Sequence, residues 1–369
     1  MKDSIKKLDY IDTLRGAAVL GVLMIHSSLN AHLPGVFGSI VGEGQRGVQL
    51  FFIASAFTLF LSLKNRADSE ISPIRNFFIR RFFRIAPMYY LGIIYYIFQD
   101  GLGPRYWLGD ADHISSANIL SNITFLHGFN PYYITSLVPG GWSIAVEMTF
   151  YAVLPFLFAR IKNINQAFNF FLISITVRAV LEYFLSKHIL ISSASLWTEY
   201  LDFYFPSQLP IFALGILMYF IIENKENGII KLPGKSLLLF GCLIIIQFGT
   251  SINFILANHI LFGFSFLLIG IALSRYKPIL LVNPIINYIG KISFSMYLVH
   301  FAVLHWLVYF NFINYFNDEI VNYLIRFYLV IFLSVLISSI TYYWIEKPFQ
   351  KIGSKLISRL EENPKGAIL

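Results

Sequence analysis

Cysteine is nearly absent from this chain. Its one thiol, Cys242, lies in an apolar run, which excludes a disulfide framework and a cysteine-based metal site. Charge is scarce too: 13% of the 369 residues are Asp, Glu, Lys or Arg, against roughly 25% in a soluble domain. Short repeats, low-complexity tracts and linker-like segments are also missing, so a single domain over 1–369 is expected, with its core at about 8–350. What the sequence has in quantity is apolar length, with 57% hydrophobic residues. A spanning helix needs about 20 mostly apolar residues. Ten such stretches are predicted, at 11–31, 48–63, 85–98, 138–159, 167–185, 208–222, 236–252, 259–274, 292–312 and 321–344, the third and sixth of them short. The first is too long for a signal-peptide core and carries polar residues, so it is expected to stay. The expected fold is an all-α polytopic membrane protein.

The basic residues orient it. With the N-terminus in the cytoplasm, the outer loops hold only Arg46, Arg105 and Lys187 of the 28 lysines and arginines, and Arg15, Arg178 and Arg326 sit inside helices. The rest fall on inner segments, a bias that sets topology. Both termini are therefore expected in the cytoplasm. The net charge of +8 is spread over inner loops, so it reads as topology and not as a nucleic-acid surface.

Ionisable groups inside a helix bundle are costly and are candidates for function. Asp12-Thr-Leu-Arg15-Gly is followed by His26, close to three turns beyond Arg15, which puts the two on nearly one face about 16 Å apart. Singly, Arg15 reads as a snorkelling anchor and His26 as a bundle histidine. Arg81 and Arg84, within Arg80-Arg81-Phe-Phe-Arg84, share a helix face at the inner end, where they suit either a phosphate clamp or simple topology. In Trp142-Ser143-Ile-Ala-Val-Glu147-Met-Thr-Phe-Tyr151, residues Ser143, Glu147 and Tyr151 form a polar stripe, with Glu147 roughly 12 Å deep. The structural alternative for Glu147 is a pair with Arg178 or Arg326, although Arg178 has Glu182 one turn away. His300, in Ser293-Phe-Ser295-Met-Tyr297-Leu-Val-His300, is catalytic or an interhelical hydrogen bonder, with His305 further out.

In this order the segments resemble the acyltransferase-3 family of membrane acyltransferases, which includes bacterial O-antigen and exopolysaccharide O-acetyltransferases. The matching stretches are Asp12–Gly16 with His26, Arg81–Ile85 with Pro87 and Tyr89-Tyr90, Trp142–Tyr151, Ile292–His300, and Tyr343–Phe349 as a closing signature. They run from about residue 8 to 350. The resemblance implies a ten-helix core in a bacterial inner membrane. It would take an acyl group, usually acetyl, from cytoplasmic acyl-CoA to a sugar hydroxyl on an envelope glycan, a lipid-linked sugar or another small molecule. By position His26 matches the family's essential histidine, Arg15, Arg81 and Arg84 its motif arginines, and Glu147 the acid of its tryptophan–serine motif. Asp12, Trp142, Ser143, Tyr151 and His300 are expected to support them. Acyl-CoA would be a substrate, with no metal and no permanently bound cofactor. Met148-Thr149 depart from the polar residues of many glycan-modifying members, and the hydrolase-like domain fused to some members is not expected.

On this reading arginines at the inner rim hold the donor's phosphates and His26 deprotonates the acceptor hydroxyl. Glu147 orients the imidazole or polarises the acceptor. Direct transfer is favoured, as no cysteine or conspicuous serine sits beside His26. The rival is a secondary transporter or flippase, which also uses buried His, Glu and Arg, but the chain's halves show no similarity to each other of the sort such folds carry.

Overall fold

The computed structural model describes residues 8–28, 31–223 and 257–362. Every regular element among them is helical. In chain order these are α1 (Asp9–His26), α2 (Gly35–Gly42), α3 (Gly47–Arg66), α4 (Pro73–Asp100), α5 (Ser116–Ile123), α6 (Gly141–Arg160), α7 (Ile164–Lys187), α8 (Ala194–Phe203), α9 (Phe205–Glu223), α10 (Asn258–Arg275), α11 (Pro284–Tyr309), α12 (Glu319–Thr341) and α13 (Lys347–Glu362). Seven helical segments among the described residues are long and apolar enough to cross a membrane: Gly35–Arg66, Gly141–Arg160, Ile164–Lys187, Ala194–Glu223, Asn258–Arg275, Pro284–Tyr309 and Glu319–Glu362. The protein is thus a multi-pass membrane protein. Helices α1 and α4 are more polar, because they carry Asp9, Asp12 and Arg15 in one case and Arg75, Arg80, Arg81 and Arg84 in the other. The span expected at 236–252 lies outside the described residues.

The third expected span needs correcting. Residues 85–98 were expected as a short helix, but α4 runs for 28 residues from Pro73, a residue suited to a first helical turn. The added turns hold the arginines, and three have acidic partners: Arg75 with Glu361, Arg80 with Glu70, and Arg84 with Glu346. A hydropathy window counts those charges as solvated. The folded chain neutralises them. Stretches expected as outer loops also fold, into α2, α5 and α8.

Helix α1 lies against α3, α11 and α12. Its closest neighbour is α11, where Thr13 Oγ1 donates to Asn287 Oδ1 at 2.8 Å. A Cβ on Gly290 would stand 1.8 Å from the Asp12 carbonyl oxygen, so only glycine lets the two backbones meet there. Gly290→Ala is therefore expected to destabilise the protein by about 1–3 kcal/mol by forcing α1 and α11 apart. Thermal unfolding in detergent reads this directly, and an unchanged midpoint would show that the interface is looser than described.

The chain's last helices close over α4. Pro348 has no N–H to bond the carbonyl four residues back, and residues Tyr342–Glu346 form a π-helical turn between α12 and α13. That turn carries Glu346 into the interior, 1% exposed. Helix α13 then lies along α4, with Gly353 against Phe83. Glu361 accepts hydrogen bonds from the Ile71 and Ser72 amides at 2.6 and 3.2 Å and from Asn76 Nδ2 at 2.9 Å, which satisfies donors at the α4 N-terminus.

Candidate active site

Two cavities lie within the bundle. At the end where α1 begins and α3 finishes, here called the basic end, Arg15, Arg81 and Arg84 line a narrow cavity of about 80 Å³ together with Ser55, Ser143, Glu147, Tyr151, Ser293 and Tyr297. Glu147 Oε1 accepts from the Ser55 hydroxyl and from Tyr151 OH, the latter at 2.6 Å. Arg15 Nη2 donates to Thr58 Oγ1 at 3.2 Å. Arg84 pairs with Glu346, which also accepts from Ser295 Oγ, and its guanidinium lies 5.8 Å from the Phe294 ring centroid. Arg81 differs from both, since its buried Nε has no hydrogen-bond partner among the described residues. Arg80 is outside this cavity, bound through both Nη atoms to Glu70 at 2.7 and 3.0 Å.

The second cavity, about 590 Å³, lies toward the other end and is lined by His26, Arg46, Gln49, Trp107, Trp142, Asp202, Gln208 and His259 among others. Trp142 stacks on Phe203 with ring centroids 4.6 Å apart. Gln49 Nε2 donates to Gln208 Oε1 at 3.1 Å, and Gln208 Nε2 donates to the Asp202 carbonyl at 2.7 Å. Gln49 is 5% exposed and its Oε1 lacks a partner among the described residues, so it remains able to accept a hydroxyl. Val48 and Tyr297 belong to both cavities. Tyr297 is held in place by α6: its hydroxyl donates to the Gly140 carbonyl at 3.0 Å and accepts from Ser143 Oγ at 2.8 Å. Gly140 has φ +73°, and a Cβ there would fall 2.8 Å from the Tyr297 oxygen, so glycine at position 140 is what lets the tyrosine seat.

His26 has a defined tautomer. Its Nδ1 lies 2.9 Å from His300 Nε2, and His300 Nδ1 lies 3.2 Å from the Met296 carbonyl oxygen. That carbonyl can only accept, so His300 donates through Nδ1 and presents the lone pair of Nε2. His26 must then donate through Nδ1, leaving its own Nε2 as the basic nitrogen. Phe301 packs on the His26 ring at 4.4 Å between centroids and limits its rotation.

Of the predicted site residues, Arg15, Arg81, Arg84, Ser143, Glu147 and Tyr151 share the narrow cavity, as the stripe on α6 implied, while His26 and Trp142 line the wider one. Asp12 sits half-buried at the α1–α11 contact. Two expectations change. The residue that orients His26 is His300, whereas Glu147 is engaged by Ser55 and Tyr151 in the other cavity. Arg81 and Arg84 are not an equivalent pair, because Glu346 already holds Arg84. Neither structural partner considered for Glu147 is used: Arg178 pairs with Glu182, and Arg326 bonds the Ser27 carbonyl at 2.6 Å. Sequence reasoning missed Gln49, Trp107, Asp202, Gln208 and His259. A glutamine in each of two apolar spans was the signal available.

Comparison with known proteins agrees with the helix pattern. An acyltransferase-domain family model matches residues 8–343. A provisionally named O-acetyltransferase of Staphylococcus aureus (strain COL) is 27% identical over 388 residues, covering 96% of this chain and 59% of its own length. The Regulator of hypoxia-inducible factor 1 of Caenorhabditis elegans is 22% identical over 424 residues, covering 96% and 82%. The peptidoglycan O-acetyltransferase OatA of Listeria monocytogenes is 30% identical over 171 residues, covering 44% and 26%. The chain thus spans about three fifths of the length of the staphylococcal relatives. No solved structure matches it. Because the family model extends over nearly the whole described bundle and includes both cavities, the chain belongs to the acyltransferase-3 family.

Proposed function

We propose that this protein moves an acetyl group from acetyl-CoA, bound from the cytoplasm at the basic end, to a hydroxyl of an envelope glycan sugar that enters from the opposite side of a bacterial inner membrane. The observation that carries this reading is the pair of cavities with unlike linings that meet at Val48 and Tyr297. Arginines suit the phosphates of CoA, and the wider cavity offers an aromatic face at Trp142 with amide and carboxylate groups around it, a set suited to a sugar. The O-acetyltransferase names of the bacterial relatives point the same way.

His26 Nε2 takes the proton of the acceptor hydroxyl as that oxygen attacks the thioester carbonyl carbon. A C–O bond forms, the tetrahedral intermediate collapses, and the C–S bond breaks with its electron pair on sulfur. The proton held by His26 then neutralises the departing thiolate. His300 keeps His26 in the reactive tautomer. Glu147 acts as counter-charge among the arginines.

The test uses purified protein in lipid nanodiscs with acetyl-CoA and glycan oligosaccharides. One acetyl ester is expected on sugar for each free CoA thiol released. A transporter would bind acyl-CoA without releasing thiol, and failure to consume acetyl-CoA with every glycan class tried would remove the enzymatic reading. In intact cells, with Cys242→Ser as background, Asp68→Cys is expected to be shielded from impermeant thiol reagents and His113→Cys to react. The reverse pattern would place the donor on the wrong side.

A further inference from the structure

A third cavity, of about 480 Å³, shares His26 and Phe301 with the Trp142-lined one and lies at the same end of the bundle. Two buried polar groups on its wall have no role in the transfer step described above. Arg326, on α12, is 2% exposed, its Nε donates to the Ser27 carbonyl, and its Nη2 has no partner among the described residues. Ser27, which follows His26 in sequence, is 1% exposed, and its Oγ likewise has no partner. Both line the cavity. No carboxylate pairs with Arg326 among the described residues, in contrast to Arg84 and Arg178.

The other polar side chains on the wall do not supply the missing anion. Asp100 accepts from Gln99 Nε2 at 2.8 Å and faces Arg105 at 4.0 Å. Tyr96 OH donates to the Leu298 carbonyl at 2.8 Å. His305 and Tyr309 stack on each other with centroids 6.5 Å apart. A buried guanidinium with spare donors is costly unless something anionic completes it. Inside a membrane protein such a residue marks a ligand's position.

We propose that Arg326 Nη2 and Ser27 Oγ form an oxyanion subsite beside His26 that holds a carboxylate or phosphate group of the acceptor. The proposal rests on His26 acting on a glycan hydroxyl, and adds that the glycan is acidic. A sugar ring against Trp142 presents its hydroxyl to His26, and an anionic substituent on that unit or the next reaches Arg326 past Phe301. Guanidinium binds either oxyanion with two donors. A negatively charged polymer or lipid-linked sugar is thereby selected over a neutral one, with binding energy placed at the unit beside the reacting hydroxyl.

The binding arm needs no turnover. Melting of the full-length protein in nanodiscs is measured with glucuronate, glucose 1-phosphate and glucose as probes, since a ligand that binds the folded state raises the midpoint. The two anions are expected to stabilise the wild type and glucose is not. A response to glucuronate alone identifies a carboxylate source, and one to glucose 1-phosphate alone a phosphate source. Arg326→Gln is expected to weaken the responsive anion about ten- to hundredfold, the loss typical of a charge-assisted hydrogen bond, and Arg326→Lys to weaken it less. Ser27→Ala, which removes an unbonded hydroxyl without changing packing, gives a second variant expected to fold and to bind the anion several-fold more weakly. In acetyl transfer the ratio of acidic to neutral acceptor use falls by the same factor in Arg326→Gln. Anion responses unchanged in all three variants overturn the proposal, as does a loss of turnover that is equal for acidic and neutral acceptors. Failure of acetyl-CoA as donor would leave the melting responses intact, and so would be told apart from failure of the subsite.

Discussion

His26→Ala is expected to lose acetyl transfer by roughly 10²–10⁴-fold, the usual effect of removing a general base, while the protein still inserts and binds acyl-CoA. The proposed donor site is spared because Arg15, Arg81 and Arg84 line a different cavity. The His26–His300 bond makes the prediction sharper. His300→Leu removes the acceptor for His26 Nδ1–H, so the imidazole can turn or change tautomer, and turnover should fall about tenfold or more. His300→Gln offers a carbonyl oxygen to the same N–H and should recover much of that loss. A residue that only filled space would not distinguish leucine from glutamine. Steady-state rates with saturating acetyl-CoA, read beside donor binding by thermal shift, decide the matter. Near-normal turnover in folded His26→Ala would remove the base assignment, and equal rates for the two His300 variants would remove the positioning role.

Arg81→Ala and Arg84→Ala should fail in different ways. Arg81 keeps an unused buried donor beside the narrow cavity, so its loss is expected to raise the apparent KM for acetyl-CoA about ten- to hundredfold with little change in kcat, the signature of uniform binding. Lysine should rescue partly, since the charge survives and the fork does not. If Arg81 binds the ribose phosphate, the effect shrinks with dephospho-CoA thioesters. Arg84→Ala instead strands the Glu346 carboxylate, whose side chain is fully enclosed. Breaking a buried pair on one side costs about 3–5 kcal/mol, so loss of folded protein is expected before any kinetic change. The double variant Arg84→Met with Glu346→Gln should regain stability, because no uncompensated charge remains. Normal melting in Arg84→Ala would show that Glu346 is neutralised by another route, and an unchanged donor KM in Arg81→Ala would return that residue to a topological role.

The parts of the site that were legible in the sequence are those with local spacing. Ser143, Glu147 and Tyr151 recur every four residues, and a helix turns that spacing into one wall. The succession of motifs likewise announced which helices would converge. What stayed hidden depends on partners far away in the chain. His300 was legible as an interhelical hydrogen bonder, but its pairing with His26 was not, since the two meet only where α11 packs against α1. Glu346 reads only as part of the closing signature until the π-helical turn places it against Arg84. The length of α4 was underestimated for the same reason, since a charge's cost in a bilayer depends on a counter-charge that hydropathy does not see. The wall contributed by α8 and Trp107 lay in segments too short and polar to mark as spans.

On the proposed placement in a bacterial inner membrane, cavities toward both ends of the bundle bear on the cell's proton gradient. Among the described residues Val48 and Tyr297 line both cavities, and the tyrosine hydroxyl is held by Ser143 and the Gly140 carbonyl. Each proton that slipped through a continuous water file would dissipate about 2.3 kcal/mol for every 100 mV of membrane potential. The proposed acetyl transfer needs only a brief opening, whereas ions would use any opening that stayed. On that reading the tyrosine would serve as an insulator as well as a wall. On the proposed reading, smaller residues there are expected to lower the proton gradient even in cells that do not need the acetylated product.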